Sequence, residues 1–327
     1  MGHDLATKAE LVKLARALGT TAEEVAFAAE LPHTAIRRVR EQAVAKLYDE
    51  HKAAFQRVAM MTRALPTAMN VRITLRAFTP LLAARVAGEM PPDRAAELAN
   101  RMPVEFLAEA CVHLDPRRAG ALVHRVRADR VVAVVVELVE QGDFITLGRL
   151  LDTATEPIVR DVTATVPTEA LLQIGFYAES DEQLTRAVAL LPPERLHGIV
   201  RDALTGRPEL RSAGLALVGR VNDEALRGRL AEYAAEEDDE TLTKLLHTAI
   251  DDGALEELLV AVSAMSEQAQ RRVLTLPALA EPHILGHLVR AVEKHNLFPR
   301  LAPVVALMDD DLRRRVAVAA EPRTNLR

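Results

Sequence analysis

FTPLLAARVAGE (78–89), MPPDRAAELANR (90–101), MPVEFLAEACVH (102–113), LDPRRAGALVHR (114–125) and VRADRVVAVVVE (126–137) are five consecutive stretches of one length, and their alignment decides the fold. A large apolar residue returns every twelve positions, at Phe78, Met90, Met102, Leu114, Val126 and Leu138. After each of the first four comes a helix-start signal: Thr79-Pro80, Pro91-Pro92, Pro103-Val104 and Asp115-Pro116. Proline is tolerated at such a position because a first-turn amide has no intrahelical partner to lose. Each unit therefore opens a new helix of about two turns.

Inside the units the apolar residues fall three, one and three to four apart. Ala95, Leu98 and Ala99 precede Met102, and Leu107, Ala110 and Cys111 precede Leu114. Ala119, Leu122 and Val123 obey the same rule, as do Val131, Val134 and Val135, while Arg117, Arg118, Asp129 and Arg130 take the opposite, wet side. A helix this short is marginal alone because nucleation is costly, so it is held by neighbours stacked on its stripe. The start pattern recurs at Val166-Pro167-Thr168-Glu169, Leu191-Pro192-Pro193-Glu194, Val221-Asn222-Asp223-Glu224, Met265-Ser266-Glu267 and Met308-Asp309-Asp310-Asp311. The wider spacing between these predicts longer, paired helices after residue 140.

The expected class is all-α: an α-solenoid, or superhelical array of short helices, over residues 66–327 and clearest over 78–204, preceded by a helical segment at 1–65. A chain of 327 residues exceeds the usual single core, a limit that repeats evade. Aromatics are only 3% with no Trp, so the interior is built from Ala, Val and Leu, which suits closely approaching helices. A net charge of -6 argues against a chain-wide polyanion-binding surface. The single cysteine, Cys111, excludes an intramolecular disulfide and a cysteine-rich zinc site and fits a reducing cytoplasm. Met1 to Glu10 carries charges, and the longest apolar run is Val131 to Val136, so neither a signal peptide nor membrane insertion is expected.

With Met90-Pro91-Pro92-Asp93-Arg94-Ala95-Ala96-Glu97-Leu98 and Leu191-Pro192-Pro193-Glu194-Arg195-Leu196 in view, the stretch from Phe78 to about Leu204 resembles the cytosolic N-terminal domain of MgtE magnesium transporters. Related short-helix arrays occur in the flagellar switch protein FliG. The resemblance implies a superhelix and no reaction. The nucleotide-binding CBS modules and membrane channel that come next in that family are absent from this sequence, so transport is not implied.

Residues 7–63 read differently. A helix through Leu11, Leu14 and Leu18 stops at Gly19, and the capping signal Thr20-Thr21-Ala22-Glu23-Glu24 predicts that a second helix starts there. Val25 to Val39 resembles the helix-turn-helix of bacterial repressors, with Ala26, Leu31 and Ile36 at its buried positions. It departs from that pattern at Glu30, where the turn usually takes glycine. Arg37, Arg38, Arg40 and Lys46 are the candidate phosphate contacts, and with Lys52, Arg57 and Arg63 they face only Glu41, Asp49 and Glu50 over residues 33–63. A capping helical hairpin with a wet face is the alternative.

The remaining constellations carry little chemistry. His283 and His287 stand one helical turn apart and are the best metal candidate, with Glu281 or His295 as further ligands, but two histidines are too few and the HExxH glutamate is missing. Glu236-Glu237-Asp238-Asp239-Glu240 lacks the alternating ligands and glycine of an EF-hand and reads as a solvated turn. Asp309 to Asp311 followed by Arg313 to Arg315 suits an exposed helix start. Cys111 lies in an apolar stripe, which argues against a nucleophile with His113, and His113 and His124 decorate turns. No phosphate-binding glycine loop, GxSxG elbow or paired carboxylate site is visible. The expectation is a non-catalytic cytoplasmic scaffold or adaptor without cofactor, binding a protein partner on a concave surface, with a homodimer left open. The alternatives are a DNA-binding regulator with a solenoid sensor, and a carrier of an apolar small molecule.

Overall fold

A computed structural model describes residues 5–63 and 65–320, without the side chains of Leu47 and Arg63. Among the described residues there are helices and turns and no strand, as the repeat predicts. The helices Pro80–Ala87, Pro92–Ala99, Val104–Val112, Pro116–Val123 and Ala128–Glu140 begin twelve residues apart, the first four at the predicted starts. Thr79 caps the first through its hydroxyl and Asp115 caps the fourth through its carboxylate. The downstream signals also open helices, at Thr168–Tyr177, Pro193–Thr205, Glu224–Ala235, Glu267–Leu274 and Asp310–Ala320.

Helices two apart in sequence pack against each other. Lys52–Arg63 meets Pro80–Ala87, which meets Val104–Val112, which meets Ala128–Glu140; Thr67–Ala77 meets Pro92–Ala99, which meets Pro116–Val123. Successive units thus alternate between two layers, so the sequence period of twelve is half the structural one. A connection of four residues between helices of eight leaves room for a reversal and little else, which enforces the alternation. Between the layers lie Ala108, Val134, Leu138, Leu147, Val166, Ala170 and Ile174, with Leu107 and Cys111 against them. Leu138 is 1% exposed, and such burial contributes about 1.5–3 kcal/mol. The helix Phe144–Leu150 packs closely on Thr168–Tyr177 at Gly148, where a Cβ would stand 2.5 Å from the carbonyl carbon of Tyr177.

The chain divides into two compact units, one of Thr7–Leu191 and a second beginning at Pro192. The first four helices of the second unit run longer, Pro193–Thr205, Pro208–Arg220, Glu224–Ala235 and Asp239–Asp251 having twelve or thirteen residues. The lengthening sets in there rather than at residue 140, for Phe144–Leu150 has seven residues and is continued only by the 3₁₀ turn Leu151–Thr153. In the second unit Leu297, Leu301 and Val304 close a core with Leu259, Val260 and Leu274.

The N-terminal reading needs two corrections. Helix Leu5–Leu18 ends as predicted at Gly19, which has φ +69°. The reciprocal capping bonds also form, Glu24 N donating to Thr21 Oγ1 at 3.4 Å and Thr21 N to Glu24 Oε2 at 3.3 Å. They lead into a five-residue 3₁₀ turn, Ala26–Glu30, and not into an α-helix. Pro32 disfavours helix at Leu31, which leaves too few residues for a stable α-helix, whereas a three-residue repeat turns Val25 and Ala28 together onto Leu11, Leu14, Ala15 and Ile36. Of the three positions predicted to be buried, only Ile36 is; Ala26 is exposed and Leu31 is 46% exposed. The second helix of the expected motif does form, as His33–Asp49.

Candidate interaction face

The four candidate phosphate contacts lie on the helix His33–Asp49 but do not share one environment. Arg40 is buried: its Nε donates to Glu10 Oε2 at 3.2 Å, and its Nη2 lies 2.8 Å from Glu179 Oε1. Arg37 turns inward as well, donating from Nη1 to the Glu179 carbonyl at 2.6 Å and from Nε to Glu41 at 3.0 Å. Arg149 approaches the same Glu179 carboxylate at 3.8 Å, and Lys13 donates to Glu10 at 2.6 Å. Lys13, Arg37, Arg40 and Arg149 are thus knotted around Glu10 and Glu179, tying the first helices to the array. Arg38 and Lys46 remain exposed. Lys46 lines an open groove with Gln42, Ala45, Asp49 and Glu50.

A second, half-buried ion pair joins Arg16 to Asp143, which also caps Phe144–Leu150 by accepting from Thr146 N at 3.0 Å. Burial would raise the Asp143 pKa, but hydrogen bonds from Arg16 and Thr146 outweigh it and hold the carboxyl below its ordinary value. Glu10 behaves likewise, burial being outweighed by the charges of Lys13 and Arg40, and so does Asp115, through bonds from Arg117. A carboxyl with a depressed folded pKa contributes stability above its unfolded pKa and loses it as pH falls through the folded value. The unit Thr7–Leu191 is therefore expected to hold its thermal stability down to about pH 4, near ordinary carboxyl pKa values, and to lose it steadily below. Circular-dichroism melts from pH 7 to pH 3 check this; an Asp143→Asn variant melting lower at pH 7, with a flatter acid limb, is the expected signature.

Tyr48 makes a further tie. The guanidiniums of Arg85, at 4.8 Å, and Arg118, at 4.1 Å, lie over its ring, and its hydroxyl donates to Glu89 at 2.9 Å. Burial, then the bond to Glu89, pushes its pKa up to about 12.

His283 and His287 do share the helix Pro282–Lys294, and Glu281 lies 3.6 Å from His283 Nδ1. His295 instead meets Glu256 at 2.5 Å, and among the described residues no three His, Cys, Asp or Glu side chains converge as a metal set. The acidic turn is largely exposed, with Glu236 3.3 Å from His197, Glu237 3.5 Å from Arg201 and Asp239 2.7 Å from Arg272, while Asp238 accepts from Thr241 N and caps the helix Asp239–Asp251. Burial, and then the charge of Asp143, raises the Cys111 thiol to about 12, and burial followed by Arg85 and Arg16 lowers the His113 pKa, so the two make no thiolate–imidazolium pair. His124 meets the Thr153 carbonyl at 3.1 Å.

The feature that spacing arguments missed lies on the helices Lys52–Arg63 and Thr67–Ala77. Met60, Met61, Met69, Ile73, Leu75 and, one helix on, Leu81 are exposed, Met61 to 75%. Exposed large side chains this concentrated are unusual, since most helices of the array bury theirs. The turn between the two helices is firmly held: buried Asn70 donates to the carbonyls of Thr62 at 2.8 Å and Leu65 at 3.2 Å, and Arg94 donates to Leu65 at 2.7 Å. On Thr67–Ala77, Asn70 and Thr74 point inward, leaving Met69, Arg72, Ile73 and Arg76 as one outward stripe. Arg57, Arg72 and Arg76 have no ion-pair partner among the described residues. A charge count would have found the face: from His51 to Gly88 the sequence holds Lys52, Arg57, Arg63, Arg72, Arg76 and Arg85 and no Asp or Glu, in a chain whose net charge is -6.

Among the described residues no helix is long and apolar enough to cross a membrane. No family model, curated protein or solved structure matches the chain.

Proposed function

We propose that this chain is a non-catalytic helical-repeat scaffold that recruits a protein partner through the exposed face of Lys52–Arg63 and Thr67–Ala77. The observation that carries this reading is the row of solvent-facing methionine and isoleucine side chains on helices whose other sides are packed and hydrogen-bonded in place. Exposed apolar surface costs solubility unless it is covered, and flexible Met side chains suit helix-shaped partners. The MgtE-like repeat grammar fits the same proposal, since an array of two-turn helices supplies surface rather than a reaction centre. A DNA-reading role draws less support, because Arg37 and Arg40 are engaged with Glu179 and Glu10.

The test compares purified complexes. The full chain and an Ile73→Asp variant, matched for folding by circular dichroism, are isolated from the source cells and their companions quantified by mass spectrometry. A companion near stoichiometry with the parent and at least tenfold depleted in the variant is the expected result. Recovery of the same proteins with both chains would overturn the assignment of this face, and specific turnover of a substrate would overturn the scaffold reading itself.

A further inference from the structure

Resting on that scaffold reading, we infer that the partner presents an acidic amphipathic helix, which docks along the stripe Met69, Arg72, Ile73 and Arg76.

The four residues stand at i, i+3, i+4 and i+7 of one helix, so they form two parallel rows one turn long: Met69 with Ile73, and Arg72 with Arg76. One row is apolar and the other cationic. Its complement is a helix with an apolar seam flanked by carboxylates one turn apart. The preceding helix repeats the chemistry with Arg57 beside Met60 and Met61, all exposed. No acid occurs between His51 and Gly88, and the acids that the fold brings to these helices are already engaged, Glu89 by Tyr48, Gln56 and Arg118 and Glu97 by Thr67 and Arg94.

Charge also argues against the other occupants. A two-fold dimer through this face would set its arginines against their own copies, since an isologous contact pairs a patch with itself. In the chain's own acidic turn at 236–240, Glu237, Asp239 and Glu240 already have cationic partners in Arg201, Arg272 and Lys244. Single-stranded nucleic acid stacks its bases on aromatic rings, and the outward stripe has none. An anionic membrane surface would meet the same arginines, and the vesicles in the experiment below test that occupant. A helix-in-groove contact steered by opposite charge uses all four residues.

The experiment titrates the full-length chain into a fluorescein-labelled designed 18-residue helix with a Leu/Ile seam and flanking Glu, following anisotropy. Controls are its Lys-for-Glu twin and vesicles of phosphatidylcholine with and without phosphatidylserine. We expect the Glu peptide to bind, its affinity to fall at least tenfold in Arg72→Glu/Arg76→Glu and severalfold when salt rises from about 0.05 to 0.3 M, because surface pairs are screened over that range. An Arg72→Lys/Arg76→Lys variant retains charge and is expected to keep most of the binding. Equal binding of the Lys twin, an unaffected double Glu variant, or stronger binding to phosphatidylserine vesicles than to the peptide would each overturn the inference. A natural companion lost on Ile73→Asp while the Glu peptide fails to bind would leave the scaffold reading standing and remove only the acidic-helix assignment; absence of both removes the two together.

Discussion

Replacing Glu179 with alanine is expected to destabilise the unit Thr7–Leu191 by about 3–5 kcal/mol, the cost of removing one partner from a buried ion network. Glu179 lies in the turn between Thr168–Tyr177 and Asp181–Ala189, and three guanidiniums converge on it. Arg40 is 4% exposed and shares only one other carboxylate, that of Glu10, which already holds Lys13. Without Glu179 the interior keeps the positive charges and loses half of the negative charge that compensates them. The Glu179→Gln variant separates the two contributions, since it keeps the volume and removes the charge. Hydrogen exchange resolved by peptide, with urea unfolding of the same samples, reads the effect unit by unit. Protection lost across His33–Asp49 and Phe144–Leu150 is the expected pattern. A loss below about 1 kcal/mol, the range of exposed pairs, would mean that water reaches the knot and shares its charge.

Gly228→Ala is expected to be the most damaging methyl insertion in the second unit. A Cβ at this position of Glu224–Ala235 would collide with the carbonyl oxygen of Ala264, and backbone cannot swing aside as a side chain does. Overpacking costs about 1–3 kcal/mol, and the propensity gain from replacing a helical glycine by alanine returns only about 1 kcal/mol, so the steric cost prevails. Gly120 is the internal control. It too is helical, but nothing lies within 4 Å of its missing Cβ, so Gly120→Ala is expected to raise stability by about 0.5–1 kcal/mol. Thermal melts of the two variants should therefore move in opposite directions. A Gly228→Ala melt at or above the parent's would show that the two helices separate at little cost.

The same contrast marks what could be read in advance. Pro80, Pro92 and Pro116 announce helices by a covalent property, a fixed φ and a missing amide, so their spacing carried the array and its start points. The stripe Ala95, Leu98, Ala99 and Met102 was legible because burial follows helical periodicity: Ala95, Leu98 and Met102 are buried and Ala99 is half-buried. Val25 to Leu31 was misread because its burial follows a three-residue turn, a choice made by what Leu11, Leu14 and Ile36 offer to pack against. Arg40 was read as a phosphate contact because a basic residue on an exposed-looking helix carries no sign of its partner; Glu10 and Glu179 are 30 and 139 positions away in the chain.

The exposed face divides along the same line. That residues 51–88 lack any acid is a fact of composition, open to counting. That Met69 and Ile73 face water while Asn70 and Thr74 face inward inverts the usual pattern, and it follows from Asn70 saturating the carbonyls of Thr62 and Leu65 at the turn. Helix starts, repeat length and the apolar stripes were determined by the sequence itself, because local sterics and periodicity act between residues a few positions apart. Which arginines are spent inside, which glycines sit under a crossing helix and which apolar row is left for a partner were decided only in the tertiary structure, because each depends on a neighbour brought in by the stacking of the layers.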